Sequence, residues 1–172
     1  MGDRIKRAER KYLPEFVYGG IDGSITTFAV VAGAIGAGLP PAIILILGFA
    51  NLFADGFSMA VSNYLSIKSR NDLEKRQEKH PTKAALATFL SFVIIGFIPI
   101  ISFVLALFIP GLNENKFTYS YILTGIALII VGAIKGEIVK KHPFRAAMET
   151  LFIGGIAAVI AFIVGYLLRG LA

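Results

Sequence analysis

The sequence predicts an all-α integral membrane protein of five transmembrane helices. Of the 172 residues 56% are hydrophobic and only 16% charged, and the mean hydropathy is +0.74. The apolar residues fall into five runs, roughly 17–38, 41–66, 84–109, 118–138 and 144–168. Lys and Arg collect in alternate gaps between these runs. A hydrocarbon core of about 30 Å takes about 20 apolar helical residues to cross, so the five runs use nearly the whole length. The expectation is one transmembrane domain over residues 1–172, with a short loop at 67–83 and no separate soluble domain.

The breaks have local causes. Leu39-Pro40-Pro41 ends the first run and suits the first turn of the second, since proline lacks an N–H and its ring clashes inside a helix. Pro110-Gly111 closes the third run, and His142-Pro143 separates the fourth from the fifth. Pro99 falls inside the third run, where it predicts a kink. Arg4, Lys6, Arg7, Arg10 and Lys11 ahead of an apolar stretch resemble the start of a signal peptide. That stretch carries Asp22, Ser24, Thr26 and Thr27 and continues into a second span, which assigns it to the mature protein.

Orientation follows from the cations. The N-terminal tail and the loops after the second and fourth runs hold fifteen Lys and Arg, whereas Lys116 and Arg169 are the two on the other side. The positive-inside rule places the N-terminus in the cytoplasm and the C-terminus outside or in a lumen. The expected location is a membrane crossed several times, the plasma membrane in a prokaryote. This arrangement also explains the formal net charge of +6 without nucleic acid, which would need basic residues on one soluble face. The chain has no cysteine, which excludes disulfides and thiolate metal sites. It shows neither a nucleophile–base pair nor the clustered aspartates of a membrane lipid transferase, so it reads as a non-enzyme requiring no cofactor.

An acid inside a membrane needs a partner, a wet cavity or a function. Asp22, Asp55 and Glu149 are such acids. Asn51, Asp55, Met59 and Asn63 recur every four residues, which sets them along one stripe of the second helix. Hard oxygens beside a soft thioether suit a first-row divalent ion better than Mg²⁺ or Ca²⁺. The same stripe also reads as a polar seam between helices with Met59 as filler. Asp22 sits in Gly19-Gly20-Ile21-Asp22-Gly23-Ser24, where three glycines allow either close packing or an irregular backbone, and it alternatively reads as a helix N-cap. Counting about 1.5 Å per residue from the basic side places Asp22, Met59 and Glu149 at similar depths. Lys135 either snorkels or pairs with Glu149. Glu74 and Glu78, in a charged extension of the second helix, form a weak cation-attracting pair, while His80 and His142 are isolated before prolines. Small residues concentrate in the first helix, from Ala32 to Ala37, and in the fifth, from Gly154 to Gly165. These are packing faces.

Five collinear segments resemble the vacuolar iron transporters and their bacterial and archaeal relatives. They are Asp22-Gly23-Ser24-Ile25-Thr26-Thr27-Phe28-Ala29-Val30-Val31-Ala32-Gly33; Asn51-Leu52-Phe53-Ala54-Asp55-Gly56-Phe57-Ser58-Met59 with Tyr64-Leu65-Ser66 after it; Pro81-Thr82-Lys83-Ala84-Ala85-Leu86-Ala87-Thr88-Phe89; Gly132-Ala133-Ile134-Lys135-Gly136; and Glu149-Thr150-Leu151-Phe152-Ile153-Gly154-Gly155. The resemblance implies a five-helix homodimer with a pathway near the two-fold axis, exporting Fe²⁺ or Mn²⁺ from the cytosol in exchange for protons. It implies that Asp22 and Met59 line the pathway and that Asp55 and Glu149 occupy polar positions beside it. The interface is expected to include the first helix through its Gly33 and Ala37 face. Full-length members of that family carry a glutamate-rich cytoplasmic domain between the second and third helices. Here only Lys68 to Lys83 stands in its place. The rival expectations are a non-transporting membrane subunit and another small-ion transporter or channel.

Overall fold

The structure is a computed structural model that describes residues 2–75, 79–112 and 114–171. Among these residues it is helical throughout, with no strand: α1 (Gly2–Gly36), α2 (Pro41–Glu74), α3 (Pro81–Gly96), α4 (Ile98–Phe108), α5 (Lys116–Ile138) and α6 (Pro143–Leu168). Four stretches, Lys11–Gly36, Pro41–Glu74, Lys116–Ile138 and Pro143–Leu171, are long and apolar enough to cross a membrane alone. Taken as one span, α3 and α4 make a fifth such stretch, bent by 49°. That bend is the expected kink. Pro99 lies in the first turn of α4, where a missing N–H is harmless, so the chain breaks at Phe97 rather than at the proline itself.

The helix ends follow the sequence signals. Pro41, Pro81 and Pro143 each open a helix, after Pro40, His80 and His142 in extended conformation. This gives the two histidines a place at helix starts. Two helices on the basic side end on left-handed lysines, Lys75 (φ 47°) and Lys140 (φ 55°). At the second, Lys141 N–H reaches Gly136 O at 2.9 Å and Lys140 N–H reaches Glu137 O at 3.2 Å, which caps the carbonyls left over at a helix end.

α1 is the centre of the bundle and packs most extensively on α3 and α6. Its glycines explain how. A side chain at Gly19 would run into the Thr88 carbonyl and the Ser91 hydroxyl of α3, and one at Gly23 into the backbone of Phe92. Where α1 crosses α6, a side chain at Gly36 or Gly165 would strike the opposite backbone, at Phe162 or Gly33. In lipid, where burial of apolar surface gives little drive, such backbone approach is what holds helices together. The Gly33 face expected to meet a second copy is therefore filled by α6 of the same chain. Around these crossings Val31, Ala34, Ile44, Leu52, Phe92, Ile100 and Phe103 form the closed core. α6 leaves its other side, including Phe152, Val159 and Leu167, exposed, as a helix facing lipid does.

Candidate functional site

Asp22 lies in the interior of α1, fourteen residues from its end at Gly36. This excludes the cap reading, since an N-cap precedes the first helical turn. The glycines around it serve close packing within a regular helix. Asp22 is half-buried. Its carbonyl accepts a hydrogen bond from the Thr26 hydroxyl at 2.8 Å, and Thr26 in turn accepts one from the Asn51 amide at 3.3 Å. The same amide donates to Thr27 Oγ1 at 3.1 Å. These bonds fix α1 against α2 in an antiparallel register, Thr26 beside Asn51.

One turn further along, that register brings Asp55 opposite Asp22. Met59 follows one turn beyond Asp55 on the basic side, about 6 Å along the helix. The level of Asp22 is thus shared by Asp55, with Met59 one step nearer the basic side. Met59 is half-buried and touches the core cluster.

The four-residue stripe on α2 is real and has one environment. Asn51, Asp55, Met59 and Asn63 are all half-buried, flanked by buried Leu52, Gly56 and Ala60 and by exposed Phe53, Phe57 and Val61. It lies at the rim of the packed chain. Its two ends are tied down: Asn51 to α1, as above, and Asn63 through its amide to Thr88 Oγ1 of α3 at 2.8 Å. The seam reading therefore holds for both asparagine amides. Between them, Asp55 and Met59 are half-buried on the same stripe.

Glu149 is set apart. Its side chain is exposed and its nearest charge is Lys135, with 3.7 Å between Nζ and Oε2, so the ion pair expected between the last two spans is present. Lys135 and Asp22 line one cavity of about 350 Å³ between α1 and α5, with Pro14, Val17, Ile21 and Ile138 among its apolar walls. Among the described residues no three His, Cys, Asp or Glu side chains converge on one point. Glu78 lies outside the described residues, so its pairing with Glu74 has no structural counterpart to report.

Sequence reading passed over one charged residue, Glu15. It is buried in α1 and receives the Lys79 ammonium on Oε1 at 2.6 Å. A glutamate four residues after the last cation of the basic tail gave no sign of burial. Its seven-residue spacing from Asp22, which sets both on one face of α1, was the available signal.

The sequence profile described as the VIT family matches residues 13–80 and 74–166. The chain belongs to the VIT family. The two matched stretches overlap at 74–80, between the end of α2 and the start of α3. A "Vacuolar iron transporter" of Plasmodium berghei is 28% identical over 94% of this chain and 84% of its own length. "Vacuolar iron transporter 1" of Arabidopsis thaliana is 26% identical over 86% of this chain and 82% of its own. "Vacuolar iron transporter homolog 4" of the same plant is 30% identical over 93% of this chain and 84% of its own. The first of these alignments runs over 228 positions and the last over 176. A chain of 172 residues therefore lacks a counterpart for dozens of residues of the Plasmodium protein, whereas homolog 4 aligns with few gaps.

Proposed function

We propose that this chain carries a divalent transition metal, Fe²⁺ or Mn²⁺, across a membrane and out of the cytosol, with protons moving the other way. The observation that carries the reading is the α1–α2 register, which sets Asp22 and Asp55 at one level of two membrane-spanning helices, both half-buried, with Met59 one turn away. Two carboxylates facing each other in a poorly hydrated place repel, and a divalent cation or a proton relieves that repulsion. A thioether beside them favours a borderline metal over Mg²⁺ or Ca²⁺. The names of the relatives, iron transporters, agree with this donor set.

The working unit in this reading is a homodimer. The rim bearing Asp22, Asn51, Asp55 and Met59 is half-open in the single chain, so two such rims meeting at a two-fold axis would enclose a pathway and double its donors. Asn51 and Asn63 hold the rim in register, and Glu149 lies beside the route through Lys135. The N-terminus is cytoplasmic, because the tail and both basic turns share one side. The test is metal flux into proteoliposomes that contain the purified chain alone. Fe²⁺ or Mn²⁺ entry above protein-free vesicles, with opposing proton movement, is the expected result. Flux absent for both ions would make the chain a non-transporting membrane subunit, and flux of monovalent ions instead would make it a different transporter or channel.

A further inference from the structure

Glu15 and Lys79 form a site that the pathway residues do not account for. The Glu15 side chain is only 10% exposed, and Lys79 Nζ lies 2.6 Å from its Oε1. The other oxygen, Oε2, is buried and has no hydrogen-bond partner among the described residues. One ammonium thus engages half of a buried carboxylate, and a desolvated oxygen without a partner is unfavourable. Asn71 Nδ2 donates to Lys79 O at 2.9 Å, and the His80 N–H donates to the Tyr12 hydroxyl at 3.1 Å, so Lys79 and His80 are held to α2 and to α1 one helical turn from Glu15. Lys79 itself remains 31% exposed. Its compact ammonium is readily rehydrated when it leaves.

Glu15 stands two turns before Asp22 on the same face of α1, about 10 Å nearer the basic end. We propose that Glu15 is a cation-binding station at the basic mouth of the protein and that Lys79 is its tethered occupant, displaced when a divalent metal ion arrives. A divalent ion can engage both carboxylate oxygens, which Lys79 in this geometry does not. Displacing Lys79 exposes the residue to solvent, so occupancy of the station is coupled to the accessibility of Lys79. The inference rests on the divalent-cation reading above and adds a site and a competitor to it.

The test is Mn²⁺ binding by the purified full-length chain, in an Asp22→Asn background so that the pathway carboxylate does not obscure the result. If Lys79 occupies Glu15 about nine-tenths of the time, Lys79→Met should tighten Mn²⁺ binding about tenfold, because the competent fraction rises by that factor. Adding Glu15→Gln should abolish the gain. A Lys79→Met protein with unchanged affinity, or a gain that survives Glu15→Gln, overturns the proposal. Should Lys79→Met fail to fold, limited trypsin digestion of the unaltered chain decides. Mn²⁺ should speed cleavage after Lys79, and Glu15→Gln should be cut fast without the ion; cleavage indifferent to Mn²⁺ overturns the proposal. Proteoliposomes that take up neither Fe²⁺ nor Mn²⁺ alongside these gains would remove the transport reading and leave the station, whereas transport without the gains would remove only the station.

Discussion

The two sides of α1 are built on opposite terms. Toward α3 and α6, Gly19, Gly23 and Gly36 press backbone on backbone and leave no room for a methyl group. Toward the rim, Asp22 is half-buried, lies level with Asp55 of α2 through the Thr26–Asn51 register, and shares a cavity with a lysine. The first side keeps α1 immobile while the second keeps a charge accessible. A carboxylate that binds and releases a cation needs both, since a loosely held helix would let Asp22 turn to solvent. Substitutions that exchange the character of the two sides test this division.

The largest effect is expected on the sealed side. Gly23→Leu forces a side chain into the Phe92 backbone, and such overpacking should cost about 3 kcal/mol or more. The measurement is the yield of monodisperse protein after detergent extraction, which should collapse. A variant that purifies normally would show that the α1–α3 crossing is looser than described.

On the open side the fold should survive and transport should change. Met59→Leu keeps volume and the contact with the core but removes the thioether. Fe²⁺ and Mn²⁺ flux should drop several-fold with the extraction profile unaltered. Equal flux of both ions would leave Met59 as packing alone. The seam asparagine lies between these extremes: Asn63→Leu removes one interhelical hydrogen bond to Thr88, which should lower stability by about 0.6 kcal/mol in a membrane protein. A thermal-shift series in detergent measures it, and a loss as large as that of Gly23→Leu would move Asn63 to the sealed side.

The membrane fold was legible because lipid imposes the same requirement on every span: long apolar runs, prolines at helix starts, and cations on one side. The bend at Phe97 was signalled by Pro99, although the proline itself sits harmlessly in the next helix. The stripe from Asn51 to Asn63 was legible from four-residue spacing alone, and so was the close packing of the small residues. What they pack against was not, because spacing fixes a face of a helix and says nothing about its neighbour. Gly33 meets α6 of the same chain, a choice made by tertiary contacts. The pairing of Asp22 with Asp55 depended in the same way on the register between α1 and α2, which counting residues from the membrane surface displaced by one turn. Glu15 escaped notice because its ion-pair partner, Lys79, is 64 residues away in sequence.

The central claim is that Asp22 exchanges a proton for a metal ion, and one measurement addresses it directly. Asp22→Asn preserves size and hydrogen-bonding capacity while removing the charge. In proteoliposomes holding an internal pH indicator, Fe²⁺-driven proton movement should fall roughly 10- to 100-fold, at least as far as the loss of a residue that merely supports a metal ligand. The variant should extract and assemble as the unaltered chain does. Fe²⁺ entry and proton counter-movement at the unaltered rate would contradict the account and leave Asp22 a structural acid at the rim of the bundle.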